Sequence, residues 1–144
     1  MDIFETCRHI NELIYTQHDA EARDTLIKLL DWHQQNNIEY TEVVNSLIRS
    51  VGLYPYLDPK TASWDDGFVY DAFSVDVGGG EQVTLHREQS GLLKRLINGE
   101  SLALSAPTSF GKSFVIDSFI TIKKPNNVLI IVPTLALVDE TRRR

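Results

Sequence analysis

Apolar side chains recur every three or four positions along the first fifty residues, which is the spacing of helices with one buried face. The repeating positions form three groups: Ile3, Cys7, Ile10 and Ile14; Leu26, Leu29, Leu30 and His33; and Val44, Leu47, Ile48 and Val51. Asp19 and Thr41 are suitable N-caps for the second and third helices. Asn36–Asn37 lies between those helices, and Gly52 follows the third. The pattern predicts a compact three-helix unit.

An irregular stretch rich in aromatic residues comes next. It contains Tyr54, Tyr56, Trp64, Phe68, Tyr70 and Phe73. These rings can pack the helical unit onto the following domain, or they can stack on bases. The packing interpretation is favoured because the neighbouring residues Asp65, Asp66, Asp71 and Asp76 would repel a phosphate backbone. Gly78–Gly80 is a flexible joint. The sequence therefore predicts a helical accessory domain at 1–77, a joint at 78–83 and a second domain at 84–144.

The pattern changes in the second domain to short apolar runs that alternate with helical segments. The runs 102–106 and 127–132 are typical of buried strands, and Pro133 stops the second. A helical pattern over Arg87 to Asn98 precedes the first run, an amphipathic segment from Phe114 to Ile122 follows it, and another helix is expected from Leu135. Strands that alternate with helices predict the beginning of a parallel sheet, and thus an α/β domain.

The loop between the first run and its helix reads Ala106-Pro-Thr-Ser-Phe-Gly-Lys-Ser113, which is typical of a phosphate-binding loop. Backbone N–H groups at a helix start form a cradle for phosphate oxygens. Lys112 would reach the phosphates, the Ser113 hydroxyl would hold Mg²⁺, and Gly111 would let the backbone approach closely. The alternative is an ordinary polar turn between a strand and a helix.

Three segments together, Leu85–Gln89, Ala106–Ser113 and Val128–Thr134, resemble the opening of the first RecA-like domain of superfamily 2 helicases, the DEAD/DEAH-box group. The whole arrangement also resembles large helicases of bacterial and phage-defence type. The resemblance covers residues 84–144 and implies a RecA-like P-loop parallel sheet that is incomplete here. Two positions depart from the pattern, because Ala106 and Ser109 stand where the common forms have Gly.

The resemblance also implies which residues bind. Gln89 would read the adenine of ATP, and Pro133 and Thr134 would contact nucleic acid, either DNA or RNA. Ser113 would be the Mg²⁺ ligand. The implied ATP-binding residues are Gln89, Ala106, Pro107, Thr108, Ser109, Phe110, Gly111, Lys112 and Ser113.

In that family the acidic motif that holds Mg²⁺ and activates water, the second RecA-like domain and its arginine finger all follow later, and the sequence reaches Arg144 before them. The predicted function is therefore an ATP-binding, N-terminal fragment of a DEAD/DEAH-box nucleic-acid helicase, truncated after motif Ia, the segment that contains Pro133 and Thr134. Its status as an ATP-hydrolysing enzyme stays open. One alternative is a non-catalytic product that binds a protein partner or regulates it through the helical domain. Another is a different P-loop enzyme such as a kinase, against which Gln89 and the Val132-Pro-Thr134 sequence argue.

Charge is divided unevenly along the chain. Residues 1–85 hold 15 acidic and 5 basic side chains, whereas residues 86–144 hold 5 acidic and 9 basic ones. Phosphate backbones therefore favour the second part. Cys7 is the single cysteine and cannot form an internal disulfide, and the acidic N-terminus does not resemble a signal peptide. These features predict a cytoplasmic protein without a membrane segment, and the four histidines lack metal-ligand spacing, so no zinc site is expected.

Overall fold

The computed structural model describes residues 1–107 and 110–143. Their order along the chain begins with three helices and a short 3₁₀ turn, continues with a fourth helix and a hairpin, and ends with three more helices. The helices are α1 Ile3–Tyr15, α2 Asp19–Gln35, α3 Glu42–Val51, the 3₁₀ turn Tyr54–Tyr56, α4 Trp64–Ala72, α5 Arg87–Ile97, α6 Lys112–Lys123 and α7 Leu135–Arg142, and the strands are β1 Ser74–Gly78 and β2 Glu81–Thr84.

Helices α1, α2 and α3 pack around one apolar core, as the helical spacing predicts. We call helices α1 to α4 with the 3₁₀ turn, residues 3–72, the helical unit. Its fully buried side chains include Ile10, Leu26, Leu29, Val44 and Ile48. Leu53, Tyr54 and Leu57, which follow α3, are also buried in this core. Burial of this apolar surface is the main driving force for the unit's folding.

Local signals define where these helices begin and end. The Thr41 hydroxyl accepts a hydrogen bond from Val44 N (3.3 Å), so the predicted cap of α3 is confirmed. Gly52 ends α3 with a φ of +78°, a conformation that suits glycine. Asn36 ends α2, also as predicted. Asp19 is instead the first residue of α2, and His18 occupies the cap position without a side-chain hydrogen bond.

The glycine run forms the tight turn of a β-hairpin. Strands β1 and β2 are antiparallel, with Ser74 opposite Thr84, and Gly79 and Gly80 connect them with φ values of +64° and +82°. Glycine adopts such angles at the least steric cost, which favours glycine at both turn positions. The division of the chain into domains at 78–83 stays a prediction.

A smaller core lies under the hairpin. Its buried members are Leu85, Leu93 and Val115, which come from the end of β2, from α5 and from α6. Half-buried residues from the hairpin and helices surround them, namely Val75, Val83, Leu92, Leu96, Ile97 and Phe119. Residues 74–143, which we call the C-terminal region, therefore pack around far fewer buried side chains than the helical unit.

The predicted fold class, an incomplete RecA-like P-loop parallel sheet behind a helical domain, is wrong. Among the described residues the only sheet is the antiparallel hairpin. The runs 102–106 and 127–132 are not strands in the structure. An apolar run becomes a strand only when a neighbouring backbone pairs with it, and within the described residues neither run has such a partner. The chain is instead predominantly helical. No helix in the described part of the chain is both long and apolar enough to cross a membrane.

Candidate binding surfaces

The described residues on either side of the loop before α6 lie close together. Phe110 N donates to Pro107 O (3.1 Å), while Thr108 and Ser109 lie outside the described residues. Gly111 precedes α6 with a φ of +73°, and a Cβ at this position would lie 2.7 Å from Gln89 Nε2. The backbone conformation therefore favours glycine here, and any larger residue would also displace the Gln89 amide group.

Lys112 turns back onto this loop. Its Nζ donates to Ala106 O (2.8 Å) and to Pro107 O (2.7 Å), so the ammonium group holds together the two sides of the turn. Hydrogen bonds from a charged donor are stronger than neutral ones. In this structure Lys112 therefore stabilises the loop through hydrogen bonds to its backbone.

Gln89 is brought next to the loop and is almost completely buried. Its Oε1 accepts a hydrogen bond from His86 N (2.8 Å), and its Nε2 donates to Phe110 O (2.7 Å). Both ends of the amide are thus engaged by backbone groups of the chain. This side chain ties the start of α5 to the loop before α6.

Ser113 lines a cavity of about 500 Å³ between α6, the run 130–132 and α7. Asp117 and Glu140 also border this cavity. Among the residues that the structure describes, no group of three or more His, Cys, Asp or Glu side chains converges as a metal site. The assignments of Ser113 to Mg²⁺ and of the loop to ATP stay predictions from the sequence.

Pro133 and Thr134 are exposed and lie where α7 begins. The Thr134 hydroxyl accepts a hydrogen bond from Leu137 N (3.3 Å), which confirms a helix start at Leu135. The apolar side chains just before it are unusually open, because Leu129 is 85% exposed and Ile131 is 84% exposed. The proposed contact of Pro133 and Thr134 with nucleic acid stays a prediction.

Two arginines bind the C-terminal end of α3, where backbone carbonyls carry partial negative charge. Arg23 donates from Nε and Nη2 to Val51 O (3.2 and 3.1 Å) and also pairs with Glu88. Since Arg23 lies on α2 and Glu88 on α5, this arginine connects three helices of the chain.

Arg87 is the second arginine of this junction. Its Nη2 donates to Arg49 O (3.2 Å) and Ser50 O (2.9 Å), and its Nε donates to Tyr54 Oη (3.2 Å). Its backbone N–H donates to Gly52 O (3.1 Å). Arg87, the first residue of α5, therefore attaches the C-terminal region to the helical unit.

Burial at this junction alters two titrating groups. Burial lowers the pKa of His86 below its usual range, and the nearby charge of Arg23 lowers it further. Burial alone would raise the pKa of Glu88, but the hydrogen bond and charge of Arg23, together with the charge of Arg87, lower it overall. His86 Nδ1 is buried and has no hydrogen-bond partner in the described structure. The junction therefore favours a neutral His86 and a charged Glu88.

The aromatic stretch divides into buried and exposed rings. Tyr54 is buried, and its ring centroid lies 4.1 Å from that of Phe73. Tyr70 also packs against the core of the helical unit. By contrast, Trp64 is 81% exposed and Phe68 is 63% exposed. Tyr54, Tyr70 and Phe73 therefore pack in or against the core of the helical unit itself, whereas the predicted role was to join that unit to the following domain. Trp64 and Phe68 do not pack into either core.

Comparison with known proteins finds similarity to anti-bacteriophage protein B. A family model for the N-terminal domain of anti-bacteriophage protein B matches residues 1–67, which is most of the helical unit. The chain is also 35% identical over 125 residues to anti-bacteriophage protein B of Escherichia coli strain K12. That match covers 85% of this chain and 17% of the relative, so the chain spans a small part of the relative's length. No solved structure matches the chain.

These matches overturn the recognition made from the sequence and its functional conclusion. Both point to anti-bacteriophage protein B, so the recognition as a superfamily 2 helicase fragment and the function drawn from it are wrong. The residue assignments to ATP and Mg²⁺ are not tested by these matches. The helicase, ATP-binding and P-loop descriptions rested on three short segments within residues 84–144, whereas the family match lies at residues 1–67. Short motifs without their structural context are weak grounds for a function.

Sequence reasoning also missed the two arginines of the junction. Arg23 reaches Val51, 28 positions away, and Arg87 reaches Arg49, 38 positions away. Helical spacing reports only neighbours three or four positions apart. No local signal could therefore have assigned these contacts.

Proposed function

We propose that this chain takes part in defence against bacteriophage, in the manner of anti-bacteriophage protein B. The observation that carries the proposal is the match of residues 1–67 to the N-terminal domain of that protein. It is supported by 35% identity that extends over 125 residues, well into the C-terminal region. The activity of a whole protein of this kind is part of the proposal, because the match covers 17% of the relative.

Within this proposal, the helical unit acts as a binding module for a protein partner. It is the part with a large, continuous apolar core, and a rigid core keeps surface side chains in fixed positions. Its exposed surface includes Phe4, Val43 and Trp64. Large apolar side chains on a rigid surface are frequent in protein interfaces.

The test is a chimera in the Escherichia coli relative. The stretch of the relative that aligns with this chain is replaced by this chain, and the efficiency of phage plating is measured in a strain that lacks the native protein. We expect the chimera to restore resistance to those phages that the native relative restricts. Equal plating on the chimera and on the empty-vector strain, with the chimera present at the native level, would contradict the proposal.

A matched pair of variants shows whether the helical unit is needed. Ile48→Asp puts a charge at a fully buried position, whereas Gln34→Asp makes the same kind of change at an exposed one. We expect the first to abolish the chimera's resistance and the second to leave it unchanged. If both chimeras restrict phage equally, the helical unit is dispensable for defence.

A further inference from the structure

Trp64 and Phe68 form an exposed aromatic pair on α4. They lie one helical turn apart with their rings stacked, 5.9 Å between centroids and 20° between planes. Trp64 is 81% exposed and Phe68 is 63% exposed, although Tyr54 and Phe73 of the same stretch pack inside. Single exposed apolar residues are common, but two adjacent large rings mark a surface where a partner can bind.

The pair borders a groove of about 440 Å³, which is within the size range of ligand-binding clefts. Its lining residues are Pro59, Ala62, Ser63, Trp64, Gly67, Phe68, Tyr70 and Asp71. Gly67 lies between the two rings in sequence, and a Cβ added there would meet nothing within 4 Å. The helix surface at Gly67, beside the rings, is thus open to the backbone of an extended segment.

Helix α4 is held firmly beneath these rings. The Ser63 hydroxyl caps the helix by accepting a hydrogen bond from Asp66 N (3.2 Å), and it donates to Asp66 Oδ2 (2.9 Å). Asp66 is buried and lies 3.4 Å from Arg49 of α3. A surface that is already ordered loses little conformational entropy when a partner binds.

The charge around the groove selects the chemistry of the partner. Residues 58–76 contain five aspartates and one basic residue, Lys60. Asp65 and Asp71 are exposed beside the two rings, and Asp71 lines the groove itself. Such a surface repels phosphate groups and attracts cations. An arginine side chain suits it best, because a guanidinium group stacks on tryptophan while pairing with a carboxylate.

We propose that the groove of α4 binds an arginine-containing basic segment of a protein partner, with Trp64 and Phe68 as the stacking surface and Asp71 as the paired carboxylate. This concerns what α4 binds, and it stands whether or not the chain acts against phage. The basic run Arg142–Arg144 of a second copy and a nucleic acid are the rival occupants, and the test separates them from the proposed one.

The experiment measures the fluorescence anisotropy of a labelled peptide that alternates arginine and serine, titrated with the full chain at moderate salt. Peptides with glutamate or lysine in place of arginine are the comparison probes. We expect saturable binding of the arginine peptide, weaker binding of the lysine peptide and none of the glutamate peptide. Absence of saturable binding of the arginine peptide would overturn the proposal.

Variants locate the binding. Trp64→Ala and Phe68→Ala should each weaken the arginine peptide about tenfold, which corresponds to about 1.4 kcal/mol of binding free energy. Tyr15→Ala, which removes a comparably exposed ring at the end of α1, should have no effect. If Trp64→Ala lowers the melting temperature, Asp71→Lys carries the test, because that position is on the surface. Equal binding by all variants would show a non-specific charge effect and would overturn the site.

The rival occupants give different results. A single-stranded oligonucleotide that binds with the same dependence on Trp64 would replace the basic peptide as the ligand. A dimer in sedimentation analysis that dissociates on Trp64→Ala would show that a second copy fills the groove. Either result overturns the proposed partner.

Discussion

The helical unit and the C-terminal region bury apolar residues to very different extents. The first encloses a core that includes Ile10, Leu26 and Ile48, each completely buried. In the described part of the second, the buried apolar residues are Leu85, Leu93 and Val115. The C-terminal region also exposes Leu129, Ile131 and Leu135, each more than four-fifths accessible. Apolar burial provides most of the folding free energy, so the two regions should differ in stability along one chain.

The largest effect is expected from the core of the helical unit. Ile48→Ala should lower the free energy of unfolding by about 2–5 kcal/mol, because it leaves a cavity at a fully buried site. Leu135→Ala, at a site that is 84% exposed, should change it by less than about 0.5 kcal/mol. Urea unfolding followed by circular dichroism measures both. Similar decreases in the free energy of unfolding for the two variants would contradict the difference in stability between the two regions.

A smaller effect is expected at the junction between the regions. Gly52→Ala introduces a Cβ 2.7 Å from the Arg87 Cβ, at a backbone φ of +78°, and should cost at least about 1–2 kcal/mol. The control is Gly91→Ala in α5, where an added Cβ meets nothing within 4 Å. It should stabilise the chain by about 0.5–1 kcal/mol. Thermal unfolding gives both values, and a neutral Gly52→Ala would show that the junction tolerates movement.

The pH dependence of the free energy of unfolding tests the titrating groups of the same junction. The folded chain lowers the pKa of His86, mainly through burial, so the unfolded chain takes up a proton first as the pH falls through about 6.5. Stability should therefore fall between about pH 7 and pH 5 and fall less steeply in His86→Asn. Glu88 acts at lower pH. Because folding lowers the pKa of its carboxyl group, the charged group stabilises the folded chain above the pKa of the unfolded chain, and this stabilisation is lost as the pH falls through the lowered pKa. Melting curves across this range measure the slope, and identical slopes for the two proteins would exclude His86 as the cause.

The smallest effect on stability is expected at the exposed apolar run. Ile131→Lys should leave the free energy of unfolding within about 0.5 kcal/mol, because the side chain is already 84% exposed. It should nevertheless reduce self-association, since exposed apolar extended segments pair with other chains. Gln34→Lys adds the same charge on the helical unit and should not reduce it. Sedimentation velocity distinguishes the two, and equal association by both variants would contradict this account of the run.

Much of the helical unit could be predicted because its signals are local. Apolar residues three and four positions apart, the Thr41 cap and the Gly52 end all act within a turn or two of helix. The same holds for α5 and for the start of α7 at Thr134. The exposure of Trp64 and Phe68 could not be predicted, because an aromatic side chain gives the same local signal in a core and at an interface.

The prediction of a parallel sheet was wrong for a related reason. The runs 102–106 and 127–132 have strand composition, but strand pairing depends on a distant partner that composition does not reveal. The loop residues Gln89, Gly111 and Lys112 do lie close together, as their sequence pattern suggested. Their contacts in the structure are with backbone groups of the chain itself. Proximity of motif residues therefore did not establish the chemistry that the motif resemblance implied.

Native-state hydrogen exchange on the full chain tests most directly the claim that the helical unit is the stable part of this protein. We expect the slowest amides in α2 and α3, with exchange close to global unfolding, and rapid exchange over 101–107 and 126–133, where the structure has no helix or strand. Equally slow exchange in those two segments would contradict the account, because it would require hydrogen bonds that the C-terminal region does not make here.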